Sequence, residues 1–155
     1  MENQEITRQV QRLDTLFNKV AEATNNDFDL QSHWARYLCI MVAGLVENGL
    51  KEIFTKYIEN KSAKPIVKYS LAQLSKLNNP KAEKVCELVG SFKSEWRHDL
   101  EIYLNELGRS DAIDSIMNNR NQLSHGKDVG VSIVSVKGYF KKIVDVLEFI
   151  ELKVK

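Results

Sequence analysis

The residues richest in chemistry lie together in the run Arg120-Asn121-Gln122-Leu123-Ser124-His125-Gly126. They put a permanent cation, an amide and an imidazole within about one and a half helical turns. The planar fork of an arginine donates two parallel hydrogen bonds to a phosphate. A histidine gives and takes protons near neutral pH. Asn121 and His125 are four residues apart, about 40° around a helix, so their side chains are neighbours. Arg120 is less well aligned with His125, but its length and a helix end fraying at Gly126 make up the difference. Such a set can bind an RNA phosphodiester, hold the 2′-OH and move the protons of cleavage without a metal.

The helix that carries this run has the apolar stripe Ile113, Ile116, Met117 and Leu123. Arg120 falls four residues after Ile116 and three before Leu123, on the side the core should own. A guanidinium there is costly unless something pairs with it. A partner acid, a cleft or another subunit's motif would each serve. With six arginines and three histidines in the chain, the bare spacing arises by chance about once in ten such chains, so it is weak alone. The residues themselves leave two readings open: catalysis, or a capping histidine beside an arginine at the edge of the core.

The elements that must position the run are helices. Only two prolines and seven glycines occur, and almost no segment alternates with period two, which argues for an all-α chain. Ile6, Val10, Leu13, Phe17 and Val20 step by three and four, predicting an amphipathic helix over 3–24. Asp27 or Asp29 can cap a long second helix over 29–60. The middle of that helix, residues 38–46, is apolar on every face, as in helices at the centre of a fold or at a subunit interface. Gly44 and Gly49 lower its helix propensity and permit close helix approach. Further helices are expected over 65–77, 80–92 and 94–107, punctuated by Asn78-Asn79-Pro80 and Gly108. Ser110 is expected to cap the motif helix over 111–124. Gly126 and Gly130 bracket an open loop. The last helix runs from Ser132 or Ser135 to Val154 on the stripe Val136, Phe140, Ile143, Val144, Leu147, Ile150 and Val154.

Composition narrows the classes. The 155 residues suggest one domain, 1–155, and 43% hydrophobic content can bury a real core. With 22 basic and 21 acidic residues the net charge is +1, so any RNA surface must be a local patch or be shared between subunits. Cys39 and Cys86 sit in apolar helical stretches and read as buried thiols rather than a disulfide or a metal pair. The polar, acidic start Met1-Glu2-Asn3-Gln4-Glu5 is no secretory signal. The longest apolar run, 37–46, is too short to span a bilayer. A reducing cytoplasm is the expected location. No Gly-rich phosphate loop, metal-ligand cluster or acidic pair spaced for hydrolysis occurs, so no cofactor is expected.

Other residues carry a structural reading beside the functional one. Glu47, inside the apolar second helix, is a polar residue at a helix seam, or an acid that orients Arg120 or His125 across the bundle. Ser124 and Lys127 flank His125 and can touch RNA backbone or simply face solvent. Lys137, Lys141 and Lys142 begin the last helix, either as a phosphate-tracking patch or as a solvated face. Trp34 and Trp96 fit helical stripes and read as core, with base stacking as the alternative. His98 has no Ser or Cys placed to pair with it.

With these residues in view, the chain resembles the HEPN superfamily, and within it the RiboL-PSP type. Arg120-Asn121-Gln122-Leu123-Ser124-His125 fits that group's signature of Arg, four to six residues, then His, with a polar residue after the Arg. The likeness extends from about Asp27 onward. It includes the long helix with His33-Trp34-Ala35-Arg36 and Leu45-Val46-Glu47-Asn48, and the terminal helix around Tyr139-Phe140. The resemblance implies an all-α, HEPN-like bundle of about six to seven helices with a long central and a long C-terminal helix. It implies a metal-independent endoribonuclease that works as a homodimer, two motif helices facing one composite cleft. In that cleft Arg120 and His125 would be catalytic, with Asn121 supporting and Glu47 a weaker fourth. Ser124, Lys127, Lys137 and Lys141 are the candidate RNA contacts. Relatives of this kind serve as bacterial toxins or in phage defence, so an antitoxin or other regulatory protein is a candidate partner; no membrane partner is expected of this chain. The alternative is a non-catalytic module that binds RNA or a partner protein through the same face.

Overall fold

The computed structural model describes residues 1–155 as seven helices without strands. Helix α1, Gln4–Ala23, starts at Asn3, whose side chain accepts hydrogen bonds from the amides of Glu5 and Ile6. This is how a short polar side chain satisfies amides that the helix itself leaves free. Ile6, Leu13, Phe17 and Val20 are buried as their spacing requires, and Val10 is half-buried. Helix α2, Phe28–Lys61, is capped by Asp27, which accepts from the Leu30 amide at 3.0 Å. Helices α3, Lys64–Leu74, α4, Ala82–Phe92, and α5, Ser94–Leu104, are short. Helix α6, Arg109–Ser124, carries the motif, and α7, Ile133–Lys153, ends the bundle.

Helix α2 is the axis of the fold and packs against α1, α3, α6 and α7. This follows from its all-round apolar middle, which no single neighbour can cover. Its approach to α7 is close at Gly49, where an added Cβ would lie 2.9 Å from a methyl of Leu147. At Gly44, by contrast, an added Cβ would meet nothing within 4 Å. Only one of the two glycines is therefore a packing device. On α7, Val136, Phe140, Ile143, Leu147 and Ile150 are buried and Val144 is half-buried. Val154, just past the helix, is buried too, and the Phe140 ring lies 5.3 Å from that of Phe17 of α1. Cys39 and Cys86 are buried free thiols, and burial pushes both up to about 11. No helix is long and apolar enough to cross a membrane.

Helices α3 and α5 each end three residues earlier than the sequence reading, α4 begins two residues later and α6 two residues earlier, and two of these differences have identifiable reasons. Helix α3 stops at Leu74 because the amides of Lys76 and Leu77 bond three residues back, at 3.1 and 3.0 Å, in a tightened turn. Ser110 does not cap the motif helix. Leu107 and Gly108 both adopt positive φ, 55° and 67°, and the helix begins at Arg109 with Gly108 as its cap. Arg109 is drawn into the first turn because its guanidinium lies 3.7 Å over the Tyr103 ring and donates to the Tyr103 carbonyl. A stacked, hydrogen-bonded arginine can be buried where a lone one cannot.

Candidate functional site

Ile113, Ile116 and Met117 hold α6 against the core, and Cys39 of α2 approaches the Ile116 carbonyl at 3.7 Å. Leu123 is half-buried at the same seam. Helix α6 ends at the motif by a defined device. The Lys127 amide bonds to the Gln122 carbonyl at 3.0 Å and the Gly126 amide to the Leu123 carbonyl at 3.1 Å, with Gly126 at φ 71°. This is the Schellman arrangement, which needs a left-handed residue just after the helix. It makes His125 the C-cap of α6, just beyond Ser124, and its exposed imidazole projects from the open end. A side chain at Gly126 would be strained in that conformation. Gly126→Ala is expected to destabilise the protein by about 1 kcal/mol in urea unfolding, and an unchanged midpoint would contradict this helix end.

Arg120 and Asn121 are half-buried, and neither side chain, nor that of His125, makes a hydrogen bond or ion pair within the chain. A cation, an amide and an imidazole thus share one helix end and are left open to a ligand. A chemistry that binds a phosphate and shifts protons requires that openness. Ser124 is exposed and donates to the Asn121 carbonyl at 2.8 Å. Lys127 is exposed beside it. Lys137 turns toward α1 and donates to Asn18 at 3.0 Å. Lys142 reaches Gly108 at the far end of α6, roughly 22 Å along the helix from Ser124. Lys141 is exposed next to it in sequence. Trp34 and Trp96 are half-buried against the core, each edge-on to a tyrosine, Tyr37 and Tyr57 respectively.

Glu47 touches neither Arg120 nor His125. It accepts from Lys51 at 2.8 Å and from the backbone amide of Asn79 at 3.0 Å. Burial raises its pKa, but this is outweighed by the Lys51 and Asn79 hydrogen bonds and by the charges of Lys51 and Arg120, so the carboxyl sits below its usual 4.5. Arg120 therefore acts on Glu47 through its field, without an ion pair within 4 Å. A carboxyl lowered in the folded state adds stability above its unfolded pKa and loses it as pH falls through the folded value. The stability difference between wild type and Glu47→Gln is expected to shrink as pH drops from 6 to below that value. A difference independent of pH in urea titrations would contradict the assignment.

Several residues around the motif were not legible from spacing. Arg36 of α2 pairs with Asp128 and donates to the Val129 carbonyl at 3.4 Å, pinning the loop after His125. Asp114 of α6 accepts from the Ala82 amide at 2.8 Å. Together with the Glu47–Asn79 bond, it fastens the α3–α4 loop beside the motif helix. The available signal was that Arg36 and Glu47 lie eleven residues apart, which puts them on one side of α2. No three His, Cys, Asp or Glu side chains converge as metal ligands would.

No curated protein and no solved structure matches the chain. The family model RiboL-PSP-HEPN matches residues 2–155. With its all-helical architecture and its Arg-x4-His helix end, the chain belongs to the RiboL-PSP-HEPN family.

Proposed function

We propose that this protein is a metal-independent endoribonuclease that acts as a homodimer. Membership of a HEPN family suggests a nuclease or RNA-related role. The observation that carries the finer reading is the open helix end, where Arg120, Asn121 and His125 stand together with no partner in their own chain.

In the proposed reaction the 2′-oxygen attacks the adjacent phosphorus while the bond to the 5′-oxygen breaks. One His125 takes the 2′-OH proton. Arg120 stabilises the charge that builds on the phosphoryl oxygens. Asn121 positions the phosphate or the imidazole, and Ser124 and Lys127 contact the flanking backbone. The leaving 5′-oxygen needs a proton, and one chain offers a single histidine at this helix end. His125 of the partner subunit supplies that proton in a two-fold cleft. The products are a 2′,3′-cyclic phosphate and a 5′-hydroxyl. Glu47 contributes at a distance, by holding Lys51 and the Asn79 loop against the site.

A surface beside the motif suits a second copy. Tyr37 and Ile40 are 51% and 47% exposed, and Gly44 faces open space on the same side of α2. Ile40 follows Arg36 by one turn, so this apolar strip borders the loop that Arg36 pins. Toxin or phage-defence roles, with an antitoxin or other regulator, are the cellular settings consistent with such an activity.

The test is cleavage of mixed tRNA and mRNA in EDTA, with analysis of the product ends. Cleavage that survives EDTA and leaves 2′,3′-cyclic phosphates supports the reading. No cleavage by a folded, dimeric protein would replace it with a non-catalytic RNA- or protein-binding module.

A further inference from the structure

The net charge of +1 conceals a basic segment. Residues 61–84 contain six lysines, Lys61, Lys64, Lys68, Lys76, Lys81 and Lys84, and one acid, Glu83. The remaining residues therefore sum to −4. Glu83 is taken by Arg97 at 2.7 Å, and Lys84 shares Glu87 at 3.0 Å. The other five lysines have no acidic partner, and Lys76 only donates to Gln73. Helix α3 packs against α2 alone, so both its flanks are open.

One of those flanks is a groove of about 630 Å³ between α3 and α4. Lys76, Gln73 and the Lys84–Glu87 pair line it with the ring of Tyr69, over a floor that includes Ile58, Leu74 and Phe92. Tyr69 is 67% exposed, and no aromatic neighbour holds its ring. The groove is joined to the motif. The α3–α4 loop, which carries Lys81, is fastened to α2 through Asn79 and Glu47 and to α6 through Ala82 and Asp114. Along α2, Arg36 pins the motif loop, Glu47 holds the α3–α4 loop and Ile58 floors the groove. These three residues are spaced by eleven, so successive ones are rotated by about 20° and separated by about 16 Å on one side of the helix.

Resting on the reading of this protein as acting on RNA, we infer that the α3–α4 groove is an extended binding site for single-stranded RNA leading to the α6 site. Lys76 and Lys84 in the groove, with Lys81 on the adjoining loop, follow the phosphates, and Tyr69 stacks a base. Such pairing of a basic track with an exposed ring is the physics of sequence-tolerant single-strand binding. It also accounts for an RNA surface in a chain without overall positive charge. The groove suits RNA over an acidic protein because its one exposed ring, Tyr69, stands at the edge of the lysines, while Phe92 and the rest of the apolar floor lie below it.

The test uses the full chain carrying His125→Ala, so that binding is read without cleavage. Fluorescence anisotropy with a labelled single-stranded 20-mer RNA is followed across salt. Lys76→Glu with Lys81→Glu is expected to weaken binding at least tenfold and to flatten the salt dependence by about one to two units of slope. Tyr69→Ala is expected to weaken binding about tenfold. Arg12→Glu with Lys19→Glu on α1 makes an equal charge change elsewhere and is expected to alter binding less than threefold. Thermal melts confirm that each variant is folded. Equal losses in the α1 and α3–α4 variants, or a loss only in Lys137→Glu with Lys141→Glu, would overturn the proposal. Polyglutamate binding as tightly as RNA, with no dependence on Tyr69, would also overturn it. RNA binding that depends on these residues in a protein whose wild type cuts nothing would uphold the groove and reject the ribonuclease reading.

Discussion

His125→Ala is expected to lower RNA cleavage in EDTA by about 10²–10⁴-fold, and Arg120→Ala by about 10²–10³-fold. The two losses come from different parts of one transition state. Without the imidazole, neither the 2′-OH proton nor the proton for the 5′-oxygen has a positioned carrier. Without the guanidinium, the charge on the phosphoryl oxygens builds up against water alone. Because the groups act on one transition state, the double variant should be little worse than the poorer single one. Arg120→Lys separates charge from geometry. It keeps the cation but not the planar fork, so it should recover only part of the rate. Stability provides the control. The imidazole is exposed and bonded to nothing, so His125→Ala should melt within about 0.5 kcal/mol of wild type. Cleavage that persists in His125→Ala would remove this residue from the chemistry.

What could be read from the sequence was what repeats locally. The stripes of α1 and α7 follow from steps of three and four residues, and the structure buries them except for Val10 and Val144, which are half-buried. The Arg120–His125 spacing is equally local, because one helix end fixes which side chains are neighbours. Gly126 was read as a loop marker, and its left-handed φ at the Schellman turn gives the physical reason for it. The start of α6 was misread because burial of Arg109 on Tyr103 overrides the cap preference of Ser110. The surroundings of the motif were hidden for a different reason. The Asn79 and Ala82 amides each bond to a carboxylate 32 residues away. Backbone amides carry no residue signature, so no pattern in the chain announces such a contact. The basic track was masked by a net charge averaged over the whole molecule.

Ile40→Glu is expected to convert the protein to monomers and to cut RNA cleavage by at least 10²-fold while leaving the protomer folded. Ile40 is half-exposed in the single chain, so a carboxylate there disturbs no core contact. In a two-fold assembly, a residue near the axis meets its own copy or close neighbours of it. Two new carboxylates would be brought together as the apolar contact is lost, and such like-charge juxtaposition costs several kcal/mol. Sedimentation equilibrium reads the assembly, and cleavage measured on the same samples reads the composite site. Dilution of the wild-type protein gives an independent check. Below its dimerisation constant, the rate should fall with the square of the protein concentration. The reasoning depends on His125 being the single histidine at this helix end, since one imidazole cannot both take the 2′-OH proton and give a proton to the 5′-oxygen in the same step. A monomeric Ile40→Glu protein that cleaves at the wild-type rate would show that one chain suffices. The proton for the 5′-oxygen would then have to come from water or from another group of the same chain, and the two-fold cleft would be abandoned.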